Sequence, residues 1–303
     1  MGSLMENGLK EIYGEKVIIN EPMNKHTTFQ IGGPARYMVT PADEKQLADT
    51  IALCSREQMP YYIIGNGSNL LVSDAGYEGV IIRLYQTMNH IEVKDNAIRA
   101  GAGALLSKVA GMAYTYGLTG LEFASGIPGT VGGALVMNAG AYGGEMKDVV
   151  LEAKVMTAEG NIMTLTGEEM AFGYRQSIAS KMHYIILEAR LGLTKGKTEE
   201  IAATMQKLAA ARREKQPLEY PSAGSTFKRP EGYFAGKLID EAGLRGYQYG
   251  SARVSDKHCG FVINTGNATA ADVMGLIDKV QQAVQEQTGI KIEPEVKFLG
   301  DFS

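Results

Sequence analysis

Ser225 lies in the stretch "AGSTFKRP", with Lys228 and Arg229 shortly behind it. Four roles are open to its hydroxyl: nucleophile, phosphate-binding turn residue, proton donor, or plain loop serine. A nucleophilic serine needs a partner base and an oxyanion hole, and this stretch does not match the Gly-x-Ser-x-Gly elbow of hydrolases. The nucleophile is therefore disfavoured, and the other three roles stay open.

Two other stretches offer charged side chains. Arg175 in "FGYRQS" carries a planar donor fork that suits a carboxylate or an enolate oxygen. Glu293 and Glu295 in "EPEV" lie on the strand face opposite Ile292 and Val296. For these stretches alone, a surface arginine and a solvated strand edge are the simpler interpretations.

The 37 glycines of the chain are concentrated in a few stretches rather than spread evenly along it. In "IIGNGSNLLVS" a strand runs into a Gly-Asn-Gly-Ser-Asn turn, whose free N–H groups suit a pyrophosphate. The turn lacks the third glycine of a dinucleotide fingerprint and the Gly-Lys-Ser/Thr of a P-loop. Taken alone, it is more typical of a plain turn.

The stretch "ASGIPGTVGGALVMNAGAYGG", residues 124–144, is different because small residues persist through it with almost no charge. Such a backbone can lie against a large flat ligand such as a flavin or an adenine. Close packing of helix and strand backbones is the alternative. Since both glycine-rich stretches suit the same kind of ligand, the sequence favours a bound ligand over backbone packing as the reason for this stretch.

Composition limits the class of protein. The chain has 303 residues, of which 45% are hydrophobic and 21% charged, with a net charge of -4, so nucleic acid is not an expected partner. Two distant cysteines and four scattered histidines match no metal or triad spacing, and no metal is expected. Without a signal peptide or an apolar run of membrane length, we expect a cytoplasmic protein whose chemistry rests on a cofactor.

The coarse pattern indicates an α+β protein, since helices and strands do not alternate regularly. A helix is predicted from Thr40 and Pro41, followed by strands "PYYIIG", "GVIIRL" and "NAIRAGAG" and by a second helix that ends at Gly117. From Val149 the pattern is that of a strand meander. A long helix starts after a domain boundary near Lys195.

The last third of the chain contains one more helix and one more strand. The helix is predicted from Thr269, with Asp272 in a capping box, to Gly289. "IKIEPEVKF" then alternates as a strand, in which Pro294 indicates an edge or a bulge.

Six stretches stand together in one order: "TTFQIGGPARY", "GNGSNLLV", "GIPGTVGGALVMNAGAYGGE", "YRQS", "AGSTFKRP" and "PEVKFLG". This ordered set resembles the UDP-N-acetylenolpyruvoylglucosamine reductases, in their shorter type II class. The resemblance implies an FAD enzyme that uses NADPH to reduce the enolpyruvyl ether of UDP-N-acetylglucosamine to UDP-N-acetylmuramate, for peptidoglycan synthesis.

The resemblance also implies a fold. It predicts a vanillyl-alcohol-oxidase-type (PCMH-type) FAD-binding fold of two α+β subdomains, at residues 1–84 and 85–195. An α+β substrate domain at residues 196–303 would follow. We expect FAD to be held non-covalently, because no histidine or cysteine in the glycine runs offers an attachment point.

Individual site residues follow from the same resemblance. Ser225 matches the family's proton donor, while Arg175 and Glu295 match its other catalytic residues; Tyr174, Lys215 and Arg229 match substrate-binding positions. Arg229 stands where longer family members often have asparagine, and the tyrosine loop of those longer enzymes is absent. The residues expected to bind FAD are Gly65, Asn66, Gly67, Ser68, Asn69, Leu70, Ser125, Gly126, Ile127, Pro128, Gly129, Thr130, Gly132, Gly133 and Ala134.

Two other functions stay open. One is a flavin oxidase of the same superfamily, which would use oxygen in place of the enolpyruvyl sugar. The other is a non-catalytic nucleotide-sugar binding protein, whose glycine turns would hold only a diphosphate. The expected partners are the enolpyruvyl nucleotide sugar and NADPH, and a monomer is expected.

Overall fold

The computed structural model describes residues 4–302, in which the chain forms helices and short strands in mixed order. The helices are α1 (Leu4–Tyr13), α2 (Glu44–Arg56), α3 (Leu106–Thr115), α4 (Val131–Val136), α5 (Ile178–Met182), α6 (Thr198–Lys215), α7 (Ala235–Glu241) and α8 (Ala270–Thr288). The first strands are β1 (Ile18–Pro22), β2 (Pro34–Val39), β3 (Tyr61–Ile64), β4 (Leu70–Val72), β5 (Tyr77–Arg83), β6 (Ile91–Lys94), β7 (Ala97–Gly101), β8 (Leu118–Thr119) and β9 (Gly140–Ala141). The later strands are β10 (Gly144–Glu145), β11 (Val150–Met156), β12 (Ile162–Thr166), β13 (Ile185–Gly192), β14 (Thr194–Lys195), β15 (Gln248–Tyr249), β16 (Ala252–Val254), β17 (Val262–Asn264) and β18 (Lys297–Leu299).

The chain divides into two compact units. Unit 1 contains the residues up to Ile19, Tyr37–Asn66 and Gly79–Ala211, and unit 2 contains Asn20–Arg36, Gly67–Glu78 and the residues from Arg212 onward. The strand order β1-β2-β5-β3 describes one four-stranded sheet, in which β3 and β5 run parallel.

Unit 1 is built on a five-stranded antiparallel sheet of order β12-β11-β13-β7-β6. The meander predicted from Val149 is confirmed, because β11 pairs with both β12 and β13. Leu47 and Ile51 of α2 lie in one buried core with Ile98 of β7 and Leu106 of α3. The apolar face of α2 is therefore the one that its sequence periodicity predicts.

Unit 2 has a smaller antiparallel sheet, of order β15-β16-β17, and a parallel pair formed by β4 and β18. The long helix α8 begins as predicted, because Thr269 accepts a hydrogen bond from the N–H of Asp272 in a capping box. It ends at Gly289, whose φ of 72° is the left-handed conformation of a helix C-cap. Its apolar stripe of Val273, Leu276, Ile277, Val280 and Val284 is buried.

Two local predictions are wrong. The second helix of the chain, α2, is capped by Asp43, whose carboxylate accepts from the N–H of Gln46 at 2.8 Å, so Thr40 and Pro41 lie outside it. The strand expected over residues 290–298 is reduced to β18, because Pro294 has no N–H and forms only an isolated bridge with Phe227.

Across residues 4–302, we find no helix that combines the length and the apolar character needed to cross a membrane.

Candidate functional site

The first glycine-rich loop follows β3 and is divided between the two units after Asn66. In unit 1 the side-chain amide of Asn66 donates to the carbonyl oxygen of Pro128 at 2.6 Å. A Cβ atom on Gly65 would lie 2.2 Å from the hydroxyl oxygen of Thr130. The end of the first predicted FAD-binding stretch and the middle of the second one are therefore in direct contact.

In unit 2 the same loop continues through Gly67, whose φ is 61°. A Cβ atom there would lie 2.1 Å from the carbonyl oxygen of His26, so this glycine is required by close backbone packing. Among the hydrogen bonds of residues 4–302, none uses the backbone N–H of Ser68 or Asn69. These two donors are of the kind that an anion such as a pyrophosphate can accept from.

The second glycine-rich stretch runs beside residues 102–106 in unit 1. The N–H of Gly132 donates to Ala102 at 2.9 Å, and the carbonyl of Gly129 accepts from the N–H of Leu106 at 3.0 Å. A Cβ atom on Gly132 would lie 3.0 Å from the Cβ of Ala102, so this glycine serves packing. On Gly133, which is exposed, a Cβ atom would meet only Thr130 Oγ1, at 3.8 Å.

The remaining residues of the second stretch are arranged as a surface segment that leads into a buried helix. Gly126 and Pro128 are exposed, and Ser125 donates its hydroxyl proton to the carbonyl of Glu122 at 2.8 Å. Ala134 is buried within α4, and Ile127 and Gly129 are half-buried.

Each of the two stretches, taken within its own unit, has features that fit a part of FAD. Ser68 and Asn69 present N–H groups without a protein acceptor, and the exposed segment around Gly126, Pro128 and Gly133 carries no charged side chain. A flat ring system needs such a smooth surface, while a diphosphate needs such donors. Gly65, Gly67 and Gly132 are explained by packing alone.

Arg175 lies in unit 1, in a turn that is closed between Gly173 and Gln176. The N–H of Gly173 donates to the carbonyl of Gln176 at 3.0 Å, and the reverse bond measures 3.3 Å. Arg175 has a φ of 55°, and its guanidinium carbon lies 5.4 Å from the ring centre of Tyr174, which is exposed. The turn thus presents the two predicted residues together.

Ser225 lies in unit 2, in a segment that has a hydrogen-bonded neighbouring segment on each side. It forms a bridge with Phe261, and the N–H of Thr226 donates to the carbonyl of Gly260 at 2.8 Å. On the other side, the carbonyl of Thr226 accepts from the N–H of Glu295 at 2.7 Å. The structure therefore brings the predicted proton donor and the predicted acid onto adjacent segments.

The Glu295 peptide is held from its other side as well. Its carbonyl accepts from the side-chain amide of Asn69 at 3.4 Å, and the carbonyl of Asn69 accepts from the N–H of Lys297 at 3.0 Å. Thus Asn69, from the first predicted FAD-binding loop, and Glu295 lie next to each other within unit 2.

Two cations follow Ser225 in the chain, and both have partners. Lys228 contacts the carboxylate of Glu293 at 3.0 Å, and this hydrogen bond lowers the pKa of Glu293. The guanidinium carbon of Arg229 lies 4.4 Å from the ring centre of Phe234, a cation–π contact. Lys215, the other cation predicted besides Arg229 to bind the substrate, is the exposed last residue of α6.

Sequence reasoning missed two buried polar residues beside these positions. Thr226 is fully buried, and its hydroxyl accepts from the N–H of Val262 at 3.0 Å. Asn138 is 1% exposed and donates to the carbonyl of Gly173 at 3.1 Å. Asn138 lies inside a stretch that was interpreted for its glycines, and only the contact across 35 residues reveals its role.

Unit 2 also contains a cavity of about 710 Å³ that none of the predicted site residues lines. Its walls include Asn24, Lys25, Tyr220, Asn264 and Thr269. It is therefore separate from the segments described above.

Comparison with known proteins adds the family. The FAD binding domain model matches residues 35–166, and the model of the C-terminal domain of UDP-N-acetylenolpyruvoylglucosamine reductase matches residues 216–299. The chain is 51% identical to the UDP-N-acetylenolpyruvoylglucosamine reductase of Caldanaerobacter subterraneus subsp. tengcongensis, over 99% of this chain and 100% of the relative. It is 56% identical to the protein of the same name from Agathobacter rectalis, over 93% and 94% of the two chains.

Solved structures agree with these matches. The reductase of Thermus caldophilus superimposes with a TM-score of 0.81 at 37% identity, over 94% of this chain and 98% of that one. An alkyldihydroxyacetonephosphate synthase, 13% identical with a TM-score of 0.50 over 64% and 41% of the two chains, shares the fold alone. The predicted vanillyl-alcohol-oxidase-type FAD-binding fold with a C-terminal domain is confirmed. The chain belongs to the UDP-N-acetylenolpyruvoylglucosamine reductase family.

Proposed function

We propose that this chain is an FAD-dependent oxidoreductase that uses NADPH to reduce the enolpyruvyl ether of UDP-N-acetylglucosamine, giving UDP-N-acetylmuramate for peptidoglycan synthesis. The observation that carries the proposal is the similarity to reductases of that name over nearly the whole length of the chain. When bound, FAD supplies the redox chemistry, in which hydride from NADPH reaches the terminal carbon of the enolpyruvyl double bond.

In this proposal the protein's own residues supply the proton and stabilise the developing charge. Ser225 gives its hydroxyl proton to the carbon next to the one that accepts hydride, and Arg175 and Glu295 act at the carboxylate end of the enolpyruvyl group. The contact between the Glu295 N–H and the carbonyl of Thr226 supports a shared role for Ser225 and Glu295. It bonds Glu295 to the residue that directly follows Ser225. Tyr174, Lys215 and Arg229 are proposed to bind the substrate.

The environment of Ser225 bears on how its hydroxyl becomes acidic. Lys228 is already paired with the carboxylate of Glu293 at 3.0 Å. Because Lys228 already has a carboxylate partner, we do not assign the charge support of Ser225 to Lys228.

The test separates the two half-reactions in single-turnover measurements. In the holoenzyme, Ser225→Ala should leave flavin bleaching by NADPH within about twofold of the parent, because that step needs no proton from Ser225. Recovery of the flavin band on addition of the enolpyruvyl nucleotide sugar should slow by about 10²- to 10⁴-fold, the usual contribution of a positioned acid.

A matched control is Ser222→Ala. Ser222 lies in the same segment, and its hydrogen bonds to Thr28 use only its backbone, so both half-reactions should stay at parental rates. Equal slowing of both half-reactions by Ser225→Ala would refute the proton-donor role. Protein that binds no FAD, or that turns over NADPH only to make peroxide, would refute the reductase itself in favour of a binding protein or a flavin oxidase.

Several finer assignments stay predictions. These are the division at residues 84 and 195, the FAD-binding residues named from the sequence, non-covalent attachment of FAD, a cytoplasmic location and a monomeric state. Release of FAD by acid precipitation would test the attachment, and sedimentation of the holoenzyme would test the monomer.

A further inference from the structure

The turn that carries Arg175 has an unfavourable backbone conformation. Arg175 has a φ of 55°, in the left-handed region that costs free energy for any residue with a Cβ atom. Residues persist in this region only where the surrounding structure holds them there, and such positions concentrate at functional sites. The question is which groups hold the turn.

Both ends of the turn are tied to residues 136–138, at the end of α4 and just after it. At one end, the carbonyl of Gly173 accepts from the side-chain amide of Asn138 at 3.1 Å. At the other end, the buried hydroxyl of Ser177 donates to the carbonyl of Val136 at 3.0 Å. Arg175 therefore lies between two ties that both lead to residues 136–138 of the second glycine-rich stretch.

Asn138 is oriented by its own surroundings. Its amide nitrogen also donates to the carboxylate of Glu145 at 2.6 Å, and its amide oxygen accepts from the N–H of Lys147 at 2.9 Å. Turning the amide over would place its oxygen against two acceptors, so only one orientation satisfies the network. The side chain is 1% exposed, which makes the loss of any of these bonds costly.

We propose that Asn138 is a positioning residue that holds the Gly173–Gln176 turn in the shape from which Arg175 acts on the substrate. This inference rests on the proposed function, because it needs Arg175 to take part in the second half-reaction. It assigns Asn138 no contact with substrate or cofactor: the residue acts only through the carbonyl of Gly173.

The experiment is a double-mutant cycle on the holoenzyme with Asn138→Gly and Arg175→Ala. Glycine tolerates the φ of 43° at residue 138, so the substitution removes the amide without adding backbone strain. We expect Asn138→Gly to slow the substrate-dependent recovery of the flavin band by about 10- to 100-fold, as displacement of a positioned group does, and to leave reduction by NADPH within about twofold. In the Arg175→Ala background it should slow recovery no further.

A purely structural role predicts a different result, namely the same loss in both backgrounds. That result, or no loss in the parent, overturns the proposal. If Arg175→Ala alone leaves the recovery rate unchanged, the proposed role of Arg175 fails, and the inference about Asn138 fails with it for a distinguishable reason. If Asn138→Gly does not fold, Asn138→Ser, which is too short to reach Gly173, is held to the same criteria.

One readout does not depend on activity. Hydrogen exchange of the peptide that spans residues 173–177 should accelerate at least tenfold in Asn138→Gly, with or without FAD, and unchanged exchange would overturn the proposal. The matched control is Thr157→Val. Like Asn138→Gly, it removes a buried polar group that holds a turn: the Thr157 hydroxyl accepts from the N–H groups of Glu159 and Asn161. It should leave both the exchange of 173–177 and the recovery rate at parental values.

Discussion

Gly133→Ala should weaken FAD binding without weakening the fold. Gly133 lies in α4, and an added Cβ atom would meet only the hydroxyl oxygen of Thr130, at the ordinary contact distance of 3.8 Å. The protein itself therefore does not need glycine there. If glycine is required at this position, the reason is a bound ligand.

The two effects have opposite signs and can be estimated. Alanine in place of glycine inside a helix stabilises it by up to about 1 kcal/mol, so the unfolding midpoint of the apoprotein should stay or rise. A methyl group inserted against a ligand in close contact costs about 1–3 kcal/mol, as in an overpacked core. That range corresponds to a rise of roughly 5- to 150-fold in the dissociation constant of FAD.

The assay is fluorescence titration of apoprotein with FAD, together with urea unfolding of the same preparations. Gly111→Ala is the matched control, because Gly111 lies inside α3, also has open space around its missing Cβ, and is outside the predicted FAD-binding stretches. It should stabilise the protein similarly and leave FAD affinity unchanged. An unchanged FAD affinity in Gly133→Ala would refute the placement of the cofactor against this residue.

Two further predictions concern stability. Burial lowers the pKa of His258 below its usual 6.5, and its ring accepts from the N–H of Gly260 at 3.1 Å. As pH falls through 6.5, the unfolded state therefore binds more protons than the folded state, and the free energy of unfolding decreases. His258→Asn, which keeps an acceptor and does not titrate, should show less loss of urea stability between pH 8 and pH 5 than the parent, and an equal loss would contradict this cause. Asp74 accepts from the N–H groups of Ala270 and Ala271 at 2.8 and 3.0 Å at the start of α8, so Asp74→Ala should cost about 1 kcal/mol in urea unfolding and Asp74→Asn less; equal stability of all three proteins would refute the capping role.

The parts of the fold that local chemistry determines could be predicted from the sequence. Helix α8 is the clearest case, since its capping box, apolar stripe and terminal Gly289 all act within a few residues. The predicted start of α2 was wrong because both Thr40 and Asp43 suit a helix N-terminus. Only the hydrogen bond from the Gln46 N–H shows that Asp43 is the capping residue.

The candidate site depended more on contacts that are distant in sequence. The glycine-rich stretches could be found from composition. Composition could not predict which glycines pack against protein, as Gly67 does, and which have open space around them, as Gly133 does. The buried polar residues Thr226 and Asn138 carry no local signal, because each acts on a segment at least 35 residues away. The adjacency of Ser225 and Glu295 could likewise be expected only from the family resemblance.

The pairing of β4 with β18 has a consequence for how the protein is made. The carbonyl of Glu295 and the amide of Asn69 are separated by 226 residues of chain, and they meet within unit 2. During synthesis, the predicted FAD-binding loop and the strand β4 that follows it leave the ribosome long before their partner strand Lys297–Leu299 exists. Pairing of β4 with β18 must therefore wait until residues 297–299 have been synthesised.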